Sequence, residues 1–173
     1  MKNITLITSA LFAAAISGSA SAADGTINFT GKIADTACTV DPASANQTVN
    51  MGEVAASSFK SAGATASAAR FTINLTNCPA AATSASVRFD GPLASGNGNL
   101  LALSSGQTAT NVGVGIYEQD SNTLIPVGSA SAPVKLSSAS INALNFIAKY
   151  VSTAEKVSAG SANAAATFTV AYN

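Results

Sequence analysis

Residues 164–172 place Ala164, Ala166, Phe168, Val170 and Tyr172 in strict alternation with Ala165, Thr167, Thr169 and Ala171. A period of two sends successive side chains to opposite faces of a β-strand, and no helix face accommodates it. The same period recurs upstream. Leu144, Phe146, Ala148 and Tyr150 share one face with Asn145 and Lys149 opposite, and Phe71, Ile73 and Leu75 share another before Cys78-Pro79. Shorter runs at residues 86–90, 99–103 and 111–118 are separated by stretches of Gly, Asn, Ser, Pro and Ala. Such spacing predicts an all-β sandwich or barrel. Residues 33–40 continue an extended segment to the turn pair Asp41-Pro42, and residues 48–51 form a short expected strand. The Ala-rich stretch 62–69 contains Gly63 and several hydroxyl residues, which predicts a loop or single turn, and no helix is expected.

The other end of the chain carries a matching pattern. Residues 1–22 have the form of a secretory signal: Lys2, an apolar stretch from Ile4 to Ile16, and the small residues Ala20-Ser21-Ala22 at the cleavage point. The apolar stretch is too short to span a bilayer, and no later segment is expected to enter one. Cleavage before Ala23, or one residue later, leaves about 150 residues, enough for one domain. The exported chain opens with Gly25-Thr26-Ile27-Asn28-Phe29-Thr30-Gly31-Lys32-Ile33. Gly25, Ile27, Phe29, Gly31 and Ile33 fall on one face and polar residues on the other. An apolar strand at an exposed terminus is an aggregation hazard unless something receives it.

Chemistry is sparse in this composition. Eight basic residues balance eight acidic ones, with no basic run, so neither nucleic acid nor an anionic membrane surface is an expected partner. The chain has no His, which removes the commonest general base and metal ligand. Ser and Thr are abundant but lack an activating base, and Lys60 and Lys135 stand in polar, loop-like surroundings. The pair Glu118 and Asp120 beside Ser121-Asn122 reads as a polar turn rather than a cation site. Residues 91–99, GPLASGNGN, lack the Lys-Ser/Thr of a phosphate loop and read as a turn. Gly113-Val114-Gly115 lies within a strand and signals close packing or a bulge. No catalytic residue, cofactor or metal is expected. Cys38 and Cys78 both lie in the exported part, where an oxidising compartment favours one disulfide over a two-cysteine metal site.

A spare alternating strand at the front and a chain that stops after a strong strand at the back are complementary defects. A sandwich one strand short exposes a hydrophobic groove along its last strand, and a neighbour's spare strand fits such a groove. Contacts of this kind run head to tail and need not close, so they give a filament.

Over essentially its whole length the chain resembles the type 1-like fimbrial subunits of the chaperone–usher pathway. The resemblance rests on GTINFTGKI leading into DTACTVD, on Cys38 and Cys78, and on LNFIAKYVS. It rests also on Gly160, fourteenth from the end, and the penultimate Tyr172. It implies an incomplete immunoglobulin-like sandwich lacking its last strand, made of a donor-strand extension over residues 23–33 and a pilin domain over 34–173. In such a protein the groove lies between the first and last strands. A periplasmic chaperone first occupies it, pairing along Gly160, Ala164, Ala166, Phe168, Val170 and Tyr172. At the outer-membrane usher the extension of the next subunit replaces that strand, with Gly31 as its point of closest approach. The expected protein is thus a structural subunit of a surface fimbria that supports adhesion, partnered by further subunits, chaperone and usher. The competing reading is a monomeric secreted immunoglobulin-like binding module, in which residues 25–33 pair within their own sandwich.

Overall fold

The computed structural model describes residues 25, 27–31 and 37–173, and the chain divides into two units, Met1–Ile33 and Ala34–Asn173. The expected signal over residues 1–22, its cleavage point, Ile33 and the extended segment through residue 36 lie outside the described residues. In the first unit, residues 27–31 form no strand. Ile27 is 79 % and Phe29 92 % exposed, and Gly25 and Gly31 are exposed with them.

The regular structure of the second unit consists almost wholly of strands. In chain order these are β1 (Thr39–Val40), β2 (Thr65–Thr76), β3 (Ser84–Asp90), β4 (Leu93–Ala94) and β5 (Asn97–Leu101). They continue as β6 (Val112–Glu118), β7 (Leu124–Ile125), β8 (Val134–Lys135), β9 (Asn142–Ser152) and β10 (Thr167–Tyr172). The larger sheet runs β1-β2-β9-β6-β5-β4, with β7 also paired to β6, and the smaller sheet runs β10-β3-β8. Every pairing is antiparallel.

The alternating faces read from the sequence meet between these sheets. Ile73 and Leu75 of β2, Leu144 and Phe146 of β9, Val114 and Ile116 of β6, and Val87 and Phe89 of β3 are all buried there. Phe71, Phe89 and Phe146 cluster with ring centroids 5.1 to 5.9 Å apart, and two of the three pairs meet edge to face. The Cys38–Cys78 disulfide is formed beside this core. A second, smaller cluster of Ala94, Leu100, Tyr117, Ile147 and Val151 lies apart from it. In β6 and β9 its members alternate with residues of the main core, so they occupy the opposite face of the larger sheet.

Four local expectations are corrected. Residues 48–51 are not a strand: they enter no ladder, and the Met51 carbonyl accepts from the Ser67 hydroxyl instead. The stretch 62–69 is not all loop: β2 begins at Thr65 and absorbs the irregularity as a bulge between Ala66 and Ala69, with Ser67 at φ 60°. Residues 91–99 lie in a hairpin, in which Ala94 of β4 pairs with Asn97 at the start of β5 and Leu93 with Leu101 at its end. At Asp41-Pro42 the turn continues into one helical turn, α1 (Pro42–Ala45). There the Asp41 carboxylate accepts from Ala43 N at 2.9 Å and Pro42 opens the helix.

Candidate functional site

An open groove of about 640 Å³ lies within the second unit. Its floor is apolar and drawn from both sheets: Phe71, Ile73, Phe89, Val114, Ile116 and Ala148. Its two walls are the segments 44–52 and 162–168.

The first wall follows from the turn at Asp41. Only Thr39 and Val40 pair with β2, and α1 then lifts the chain off that ladder. Side chains take over the fastening. Ser44 Oγ accepts from Asn74 N at 3.0 Å, Gln47 donates to Thr72 O at 3.2 Å, and Ser67 donates to Met51 O at 2.7 Å. Val49 and Met51 are thereby held half-buried against the core.

The opposite wall begins as irregular chain and becomes β10. In β10 Phe168 stands opposite Phe89, Val170 opposite Val87 and Tyr172 opposite Ala85. The β3 partners are fully or almost fully buried, whereas Phe168, Val170 and Tyr172 are only partly so. Three inward side chains on one strand remain incompletely covered because β10 is the edge of its sheet and pairs only with β3 among the described strands. Among the described residues no strand pairs with its other edge, whose backbone donors and acceptors are those of an edge strand.

The sequence-predicted residues therefore separate by position. Ala164, Ala166 and Phe168 line the groove, and Val170 and Tyr172 pack on the core beyond it. Tyr172 also donates its hydroxyl to Cys38 O at 3.4 Å, linking the end of β10 to the chain beside the disulfide. Gly160 lies ahead of the wall, packed against Thr108 and Ala109. Sequence reasoning missed Val49, Met51, Tyr150 and Ala162 as groove residues. The first two carry a weak signal, an alternating Val and Met inside a polar stretch.

No side chain lining the groove is charged. Among the described residues no three potential ligands gather to hold a metal ion. Asp120, considered above as a weak cation ligand, is occupied by the amides of Asn122 and Thr123 and by the Thr123 hydroxyl. These bonds, the Thr123 hydroxyl foremost, hold its carboxyl below the ordinary carboxylate value. Burial pushes the Tyr150 and Tyr172 hydroxyls above their ordinary range, so both stay neutral donors, Tyr150 to Ala162 O at 3.1 Å. The groove offers no nucleophile activated by a base. It does offer a hydrophobic trough beside a free strand edge, which suits an extended peptide with alternating apolar side chains.

Residues 27–173 match a family model described as fimbrial protein. The fimbrial-like protein SfmA of Escherichia coli K12 is 39 % identical over 170 residues, covering 96 % of this chain and 94 % of SfmA. A type 1 fimbrial subunit of Salmonella typhimurium is 40 % identical over 152 residues, covering 86 % of this chain and 82 % of that protein. The crystal structure of the Burkholderia pseudomallei antigen and type I fimbria protein BPSL1626 superposes with a TM-score of 0.61 at 37 % identity. It covers 86 % of this chain and 97 % of its own. A subunit from the structure of a chaperone–usher pilus gives a TM-score of 0.66 at 23 % identity over 87 % of this chain and 96 % of its own, a likeness of fold.

Proposed function

This chain belongs to the fimbrial protein family and is a structural subunit of a pilus rather than an enzyme; we propose that its copies join by donor-strand exchange. In this reading, residues 23–33 of one subunit lie in the groove of the next, with Ile27, Phe29 and Ile33 entering the trough and Gly31 allowing the two backbones to approach. The single observation that carries it is the uncharged, apolar-floored groove whose wall runs from residues 162–166 into Phe168 at the start of the edge strand β10. The exposure of Ile27 and Phe29, at 79 % and 92 %, supports it from the donor side.

The energetics favour a tight joint. Each large apolar side chain buried contributes roughly 1.5–3 kcal/mol. Each ladder hydrogen bond adds roughly 0.5–1.5 kcal/mol. Before assembly the same trough and edge would be covered by a periplasmic chaperone's strand along Gly160 to Tyr172, and at the outer-membrane usher the extension of the next subunit would replace that strand. The finished fibre stands on the cell surface and supports adhesion. No nucleotide is needed, because a better-fitting strand displaces a poorer one.

The test compares the mature protein with a form lacking residues 23–33. The truncated form is expected not to polymerise, and a peptide of that sequence is expected to raise its thermal midpoint. A truncated protein that is a stable monomer, indifferent to the peptide, would overturn donor-strand exchange and favour a self-contained binding module. Replacing Gly31 with a bulky residue is expected to slow polymerisation while leaving chaperone binding intact.

A further inference from the structure

The wall over residues 162–166 belongs to no strand, yet it forms one side of the groove. Just ahead of it, residues 158–163 are fastened to the segment 104–110 by bonds in which side chains stand in for much of a ladder. Ser158 N donates to Thr110 O at 3.3 Å, Thr110 N donates to Ser158 Oγ at 3.1 Å, and the two hydroxyls meet at 2.6 Å. One turn of the pattern later, Thr108 N donates to Ser161 Oγ at 3.2 Å and Ser161 N donates to Thr108 Oγ1 at 3.0 Å. Ala109 N donates to Ser161 O at 3.1 Å, Asn163 N to Gln107 Oε1 at 2.8 Å, and Ser104 N to Asn163 O at 2.8 Å.

Gly160 sits between the two serines. A Cβ there would collide with the backbone of Thr108 and Ala109, so any side chain must push residues 158–163 away from segment 104–110. Such a shift passes directly to Ala162, whose carbonyl accepts from Tyr150 in the groove, and to Ala164 beyond it. Further along, a Cβ on Gly91 would meet Leu101 Cδ2 first, at 2.6 Å, and then Ala165 O of the wall at 3.1 Å. β10, by contrast, is held by six register pairs with β3.

We propose that this hydroxyl clasp holds the irregular wall at the width that accepts a strand, with Gly160 and Ser161 as positioning residues that act through Ala162 and Ala164. The proposal rests on the donor-strand reading above. It gives Gly160 a role inside its own subunit, distinct from pairing with an incoming strand. The segment 104–110 becomes part of the joint although it does not line the groove.

Gly160→Val is the sharpest substitution but threatens folding, so Ser161 carries the test. Ser161→Ala removes the acceptor for Thr108 N, Ser161→Thr keeps it, and Ser152→Ala removes a hydroxyl bonded to Ser61 O and Ala64 O, neither of which lines the groove. Polymers of the full mature chain would be incubated in moderate guanidinium and their dissociation followed by light scattering. Ser161→Ala polymers are expected to come apart about ten-fold faster than wild type, with Ser161→Thr within about two-fold of it. Ser152→Ala polymers are expected to keep the wild-type rate. Equal rates for wild type and Ser161→Ala, or an equal acceleration by Ser152→Ala, would overturn the clasp. A wild-type chain that forms no polymer would instead sink the donor-strand reading, and the clasp with it.

Discussion

Gly113 and Gly115 show what single residues contribute to this fold. They alternate with the core residues Val114 and Ile116 along β6, and so face the second cluster. A Cβ on Gly113 would stand 2.8 Å from the Leu101 carbonyl oxygen, part of the rigid backbone. On Gly115 it would meet the edge of the Tyr117 ring at 2.9 Å, which has some freedom to turn. Gly113→Ala is therefore expected to cost about 1–3 kcal/mol, and Gly115→Ala less, as read from urea unfolding of the mature chain. The Gly-x-Gly pattern announced close packing in the sequence, but its partners were hidden. The outward residues of β9 alternate between polar Asn145 and Lys149 and apolar Ile147 and Val151, so that face reads as ordinary surface. Lys149 in fact lies with its Nζ over the Tyr117 ring, 4.6 Å from the ring centre.

Among the elements, the long alternating strands were the most legible. β2, β3, β6 and β9 form around the runs read from Phe71, Val87, Val114 and Phe146, because one buried face imposes a period of two, whereas the run read over residues 164–172 is strand only from Thr167 onward. The first wall of the groove was not legible in the same way. Residues 44–52 are positioned by Ser44, Gln47 and Ser67, and hydroxyl and amide side chains leave no periodic trace. This wall also depends on the disulfide. β1 contributes only two register pairs, so Cys38–Cys78 is the firmest attachment of the chain entering that wall. Closing a loop across the sequence separation of 40 residues stabilises by about 4 kcal/mol in the chain-entropy model. Replacing both cysteines by Ser is expected to lower stability by about that amount. Hydrogen exchange should locate the damage, with the Asp41 amide, bonded to Asn74 O at 2.9 Å, losing protection before the β2–β9 ladder does.

Over the whole molecule, scarcity of charge governs behaviour. The chain has no His, and its shifted groups sit at the two ends of the pH scale. The Asp120 carboxyl is held below its ordinary 3.8, so its contribution is present above that pH and is lost as pH falls through the lower folded value. Tyr117, Tyr150 and Tyr172 are raised above 10.0 by burial, so their contribution is complete below pH 10 and is lost as pH rises past it. Thermal midpoints should fall in both of these outer ranges, and Asp120→Asn should flatten only the acid limb. The effect at Asp120 will be small, because its carboxylate is solvated. The uncharged groove has a further, kinetic consequence. With no charge lining it and basic and acidic residues nearly balanced over the chain, little steers a strand towards it from a distance. Encounter between free molecules is then unguided, and the rate of joining depends on how long two subunits are kept side by side. In the proposed donor-strand joint, the same lack of groove charge leaves little for salt to screen. On that reading the contact is slow to make without a matchmaker, and screening by salt does little to unmake it.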